Sequence, residues 1–149
     1  MSFPIDSVAI SNGIQLAVAP VFLLTAVSGM IGVVANRLAR VVDRARFIEE
    51  RIKQATHSDE IDSDYAELAQ MRTRGLLANG AIALLTLCAF LIGLTIIVLF
   101  LGEAIDFQML RVSVGSFLAG IVCFLLALVC FMTETLIATR VLNFKRPDK

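Results

Sequence analysis

Three long apolar stretches, separated by polar segments, dominate the pattern of this chain. They lie at about 14–35, 76–101 and 112–132, and none of them contains Lys, Arg, Asp or Glu. At the helical rise each is roughly 30–39 Å long, enough to cross the hydrocarbon core of a bilayer. Open strand edges are not tolerated in lipid. The pattern therefore predicts an all-α integral membrane protein with three transmembrane helices, the third extending to about 138.

The polar segment 36–75 also has helical periodicity, because apolar residues recur every three or four positions along it. Neither Pro nor Gly occurs between 33 and 58, so the first membrane helix is predicted to continue to about Thr56. A second amphipathic pattern leads back to the next apolar stretch. We therefore expect an antiparallel helical hairpin.

The register of this hairpin follows from the position of its turn. Turn-forming residues occupy 57–59, and Ser63 is a plausible N-cap for the returning helix. A turn near Asp59 brings Arg51 close to Glu67. We expect this exposed ion pair to fix the register more than the stability.

Basic residues are sorted along the chain, and this sorting sets the predicted orientation. Twelve of the 13 Lys and Arg residues lie in the hairpin segment and the last ten residues, leaving Arg111 elsewhere. Cytoplasmic segments keep an excess of Lys and Arg. The hairpin and a basic tail at 139–149 are therefore predicted to be cytoplasmic, with the N-terminus and a loop at 102–111 outside. An apolar content of 58% also exceeds the roughly 45–50% usual for soluble domains.

Two motifs carry a family resemblance. They are Ala19-Pro20-Val21-Phe22-Leu23-Leu24 and Asn36-Arg37-Leu38-Ala39-Arg40-x-x-Asp43-Arg44-x-Arg46. The third apolar stretch, continuing to Glu134 and Arg140, fits the same pattern. Over about 5–140 the chain resembles domain-of-unknown-function family 2721, small membrane proteins of bacteria. The resemblance implies three transmembrane helices and a prokaryotic origin, and it implies no activity, substrate or catalytic residue. Together with the sorted charges, it predicts a protein of the bacterial inner membrane.

The second motif places basic side chains on one face of the first helix, in a stripe about 60° wide. The stripe contains Arg37, Arg40, Arg44 and Arg51, and Arg46 of the same motif is a further candidate contact outside it. One interpretation is a collar that binds anionic lipid headgroups. The other is a docking surface for an acidic partner or a neighbouring protomer. Asp43 is expected to pair locally with Arg40 or Arg46, and Asn36 to have a structural role.

Glu134 is the most informative acidic residue, because it lies near the predicted inner end of the third membrane helix. Ionisable residues at such depth need a partner. We expect Arg37 as that partner, with Asn79 as the second choice. The pair is interpreted as a clamp between helices, with proton or ion handling as the alternative.

Further features of the membrane stretches concern packing and a possible ion path. Pro20 predicts a kink, and small residues spaced by four, such as Ser116 and Gly120, favour close helix approach. An acidic ring of Glu103 and Asp106 at the outer mouth of an oligomeric pore would favour cations, although solvated loop acids are ordinary. In such a pore, polar side chains of the second helix would extend the path. Asn79 and Thr86 share one face of that helix, and Thr95 lies off it.

Catalytic, cofactor and metal motifs are not found in the sequence. The one histidine, His57, is adjacent to Ser58 and Asp59, too close to assemble a triad. The three cysteines lie in apolar stretches without the spacing of a zinc site. The basic residues adjoin membrane segments, which argues against nucleic-acid binding.

Two hypotheses for function remain. The first is a non-enzymatic homo-oligomer that forms a small cation-conducting pore. The second is an accessory or scaffold subunit whose cytoplasmic hairpin docks a partner protein.

Overall fold

The computed structural model describes three α-helices, and every described backbone residue lies in one of them. They are α1 (Ser7–Gln54), α2 (Ser58–Ile105) and α3 (Leu110–Asn143). Side chains are described for 15, 17–54, 61, 64–102 and 111–139. The predicted all-α class is confirmed for this part of the chain.

Each helix is long and apolar enough to cross a membrane. The most apolar windows of α1, α2 and α3 have mean hydropathies of 2.2, 2.9 and 2.7. Many large apolar side chains are exposed, including Phe22 at 72% and Phe90 at 67%. Such a surface would aggregate in water and suits contact with acyl chains. These features indicate a multi-pass membrane protein.

The first and second helices are much longer than a bilayer requires. Each contains 48 residues, or about 72 Å at the helical rise, against about 30 Å of hydrocarbon. The charged residues of both helices are concentrated outside their apolar stretches, so the surplus length carries the polar surface.

The chain divides into two compact units, each containing parts of all three helices. One comprises Met1–Ile31 and Leu84–Leu125, and the other Gly32–Ala83 and Leu126–Lys149. We call them the apolar unit and the charged unit, after the residues that dominate them.

The apolar unit is held by close approach of α2 and α3. A Cβ atom added to Gly120 would lie 3.4 Å from Ile92 Cγ1 and 3.7 Å from the Cys88 carbonyl oxygen. The hydroxyls of Thr95 and Ser116 are 2.7 Å apart, within hydrogen-bond distance. The prediction that Ser116 and Gly120 allow close packing is confirmed.

Within the charged unit, α1 and α2 pack against each other in antiparallel directions. Its apolar core is formed by Val41, Ile48 and Met71, with Ala45, Ile52 and Leu68 packed against them. The apolar repeat found in the sequence of 36–75 thus faces the partner helix, which is why a segment rich in charge still forms a packed pair.

The predicted start of the returning helix needs correction. Helix α1 ends at Gln54, Thr56 lies outside the described residues, and α2 already begins at Ser58. Ser63 is therefore inside α2 and is not its N-cap. A Ser followed by acidic residues suits the first turn of a helix as well as a loop, because the side chains can satisfy or complement its N–H groups.

The predicted outer loop and tail are also shorter than expected. Helix α2 continues to Ile105 and α3 begins at Leu110, so the ends of the predicted 102–111 loop are helical. The first residues of the predicted 139–149 tail belong to α3. Pro20 lies inside α1, which is helical on both sides of it.

Candidate functional site

Glu134 is at the centre of the charged unit. Glu134 is 1% exposed, and two guanidinium groups bind its carboxylate. Arg37 Nη1 lies 3.3 Å from Oε2, whereas Arg74 Nε and Nη2 lie 3.1 and 2.9 Å from Oε1. One acid from α3 thereby joins α1 and α2. The expected contact with Arg37 is confirmed, and within the described residues Glu134 makes no bond to Asn79, which is exposed.

Neighbouring residues of α3 orient the Arg37 side chain. Arg37 Nη1 also donates to Thr135 Oγ1 at 2.9 Å. Its guanidinium carbon lies 4.9 Å from the centre of the Phe131 ring, in a cation–π contact. Phe131, Glu134 and Thr135 recur within one turn of α3, so one helix face supplies all three contacts.

Among the described side chains, two further ion pairs connect α1 and α2. Arg44 Nε and Nη2 donate to Glu67 Oε1 at 3.2 and 2.9 Å. Arg51 binds both carboxylate oxygens of Asp64, with Nε 2.8 Å from Oδ2. The predicted Arg51–Glu67 pair is therefore wrong. Helix α2 begins at Ser58, earlier than expected, so Arg51 meets Asp64 and Glu67 meets Arg44.

The pairing of Asp64 with Arg51 changes the pKa of the Asp64 carboxyl. It precedes the charge-free stretch 76–101 by 12 residues, about 18 Å along the helix. Its hydrogen bonds from the Arg51 guanidinium lower the pKa of the carboxyl below its ordinary value, against the raising effect of burial.

Glu134 and its two arginines, Arg37 and Arg74, form what we call the Glu134 cluster. A cavity of about 380 Å³ opens beside it. Four arginines from α1 and α2 line it, together with the apolar side chains of Val41 and Met71. These arginines are Arg37, Arg40, Arg44 and Arg74. We call this feature the arginine cavity. Its basic lining and partly apolar floor suit an anion with an organic substituent.

Other members of the basic motif are surface residues. Arg40, Arg46 and Asp43 are exposed, as is Asn36. Asp43 forms no salt bridge within the described part of the chain, so its predicted pairing with Arg40 or Arg46 is not found. The structure brings Arg37, Arg40 and Arg44 to one cavity and leaves Arg46 outside its lining.

The structure describes only some of the residues of the predicted ion path. Asn79 and Thr86 are exposed, while Thr95 is buried and also donates to the Leu91 carbonyl oxygen at 2.8 Å. The Glu103 side chain and the whole of Asp106 lie outside the described residues. Among the described His, Cys, Asp and Glu residues, no group is arranged to hold a metal ion.

Sequence reasoning missed two participants, Arg74 and Asp64. The chain offers Arg72 and Arg74 at the base of α2, and only the rotation of α2 selects Arg74. The sequence does contain a signal that favours Arg74 over Arg72. Met71 and Arg74 are three residues apart, so Arg74 lies next to the apolar face of α2.

The comparisons with known proteins give one positive result. A family model described as a protein of unknown function, DUF2721, matches residues 17–144. No match was found among curated proteins or solved structures. The matched range includes α1 from residue 17 onward, all of α2 and α3, and Glu134 with its two arginines. The chain belongs to the DUF2721 family.

Proposed function

We propose that this membrane protein is a non-enzymatic accessory or scaffold subunit, whose charged helical hairpin docks an acidic partner protein. The observation that carries the proposal is the composition of one face of α1. Arg40, Arg44 and Phe47 recur there at spacings of four and three residues, and all three are exposed.

This face has the composition of a protein-binding surface. Phe47 is 55% exposed, and the Arg44 guanidinium lies 5.6 Å from the centre of its ring. Arginine and aromatic side chains are enriched at the energetic centres of protein interfaces. The core of the charged unit and the three-helix bonds of Glu134 hold the face rigid, which reduces the entropy lost on docking. The basic side chains favour an acidic partner.

Photo-crosslinking in native membranes tests the proposal. A crosslinking amino acid placed at Phe47 should capture a specific protein, and Arg40→Glu should abolish that capture. Arg46→Glu is the matched control, since Arg46 is an exposed arginine of the same helix, 120° away from Arg40. Equal capture by both variants would show that this face is not the docking site.

We propose a cation pore as a second candidate function. It is supported by a surface of α1 that the other described residues of the same chain leave uncovered. Nothing lies within 4 Å of Cβ positions built on Gly29 and Gly32, so a second copy has room to approach closely. In this proposal Glu103 and Asp106 select cations. Flux through liposomes should fall when they are changed to Gln and Asn, and absence of flux from folded wild-type protein would remove the idea.

A further inference from the structure

We infer that the arginine cavity is a binding site for one phosphate group, either free in solution or at the head of a lipid. This goes beyond docking of a protein partner, because the ligand is a small anion and its binding is measured on purified protein alone.

The charge in the cavity is not balanced by its neighbours. Four guanidinium groups line it, and the carboxylates bonded to them are Glu134 and Glu67. Two positive charges therefore remain. A phosphate monoester carries about 1.5 to 2 negative charges at neutral pH and would match this surplus.

The arginines also keep donors for a ligand. Arg44 and Arg74 both bind their acids through Nε and Nη2, so within the described structure each Nη1 remains for another acceptor. Arg40 makes no salt bridge among the described residues and is exposed. Guanidinium groups bind phosphate oxygens with strong, directional hydrogen bonds.

The size and position of the cavity agree with this ligand. A volume of about 380 Å³ exceeds that of a single phosphate and leaves space for an attached glycerol or ester. Val41 and Met71 provide apolar contact beside the charges. Arg37 and Arg74 directly adjoin the apolar stretches of α1 and α2, so the cavity lies where a lipid phosphate would be found.

The test compares variants of the purified protein in maltoside detergent micelles, which contain no phosphate of their own. Inorganic phosphate is titrated while its ³¹P resonance is followed, and phosphatidic acid is added in a second arm read by native mass spectrometry. Binding in the first arm identifies a soluble phosphate as sufficient, and binding confined to the second identifies a lipid source. Either result supports the site, provided that it depends on Arg40.

Arg40→Gln should weaken binding about tenfold, as expected for loss of one charge-assisted hydrogen bond. Arg46→Gln removes an exposed charge of the same helix outside the cavity and should change binding less than twofold. Arg40→Lys should give an intermediate affinity. Circular dichroism checks that all variants fold, which is expected because Arg40 is exposed. No binding in either arm, or equal losses in the Arg40→Gln and Arg46→Gln variants, would overturn the inference.

Discussion

Arg74 donates two hydrogen bonds, of 2.9 and 3.1 Å, to one oxygen of Glu134, while the other oxygen is 3.3 Å from Arg37. The two arginines are not equivalent. The Arg74 side chain is 18% exposed and that of Arg37 36%. Arg74 is therefore the more deeply buried partner, with the shorter contact.

Removal of Glu134 should destabilise the fold more than removal of either arginine. Glu134→Ala leaves two guanidinium groups without their shared acid and should lower the free energy of unfolding by about 1–3 kcal/mol. This is less than the loss of about 3–5 kcal/mol for a fully buried pair, because water screens Arg37. Arg74→Gln should have a smaller effect, and Arg37→Gln the smallest.

Unfolding of the purified protein in mixed micelles measures this order. Glu49→Ala is the control, because Glu49 is exposed and should tolerate the change. Equal stability of the Glu134→Ala and Glu49→Ala variants would contradict the assigned role of the cluster.

The register of α1 against α2 can be tested with a double-mutant cycle. Arg44→Gln and Glu67→Gln should show a coupling of roughly 0.2–1 kcal/mol, as is usual for ion pairs with exposed partners. Arg51→Gln and Glu67→Gln should be additive, because Arg51 pairs with Asp64 instead. Coupling in the second cycle and none in the first would restore the register expected from the sequence.

Asp64 should titrate below 3.8, its ordinary pKa, because Arg51 stabilises its charged form. The stabilisation of the hairpin is present above pH 3.8 and is lost as the pH falls through the lowered pKa. Carboxyl ¹³C NMR measures the titration directly. Replacing Arg51 with Gln should raise the Asp64 pKa, and an unchanged titration would exclude Arg51 as its cause.

The contact between α2 and α3 predicts opposite tolerance at two glycines. Gly120→Leu should cost about 1–3 kcal/mol, because its Cβ already touches Ile92 and further atoms would overpack the contact. Gly115→Leu should be tolerated, since nothing lies within 4 Å of its Cβ position. Thermal unfolding in detergent compares the two, and a similar melting temperature for both would refute the packing described.

The predictable features were those with a long-range pattern. Charge-free stretches specify three membrane helices, and the apolar repeat specifies which face of α1 meets α2. Glu134 and Arg37 could be paired because both fall at the ends of apolar stretches, and a buried acid needs a cation.

Features that depend on where a helix begins or on how it is rotated were less predictable. Ser58 and Asp59 fit either a turn or the start of a helix, and a shift of a few residues gave Arg51 the partner Asp64 in place of Glu67. Arg72 and Arg74 differ by two positions, about 200° around the helix, so the choice between them depends on the rotation of α2. The arginine cavity combines side chains from all three helices, including Ala138 of α3, so the arginine stripe on α1 could not by itself indicate a cavity.

The order in which the three charges enter the chain has a consequence for biogenesis. Arg37 and Arg74 are synthesised first, and their shared acid, Glu134, arrives with the last helix. A nascent chain halted before α3 would hold two cations that repel one another and lack their counter-ion. The contacts that join α1 and α2 through Glu134 can therefore form only after α3 has been synthesised.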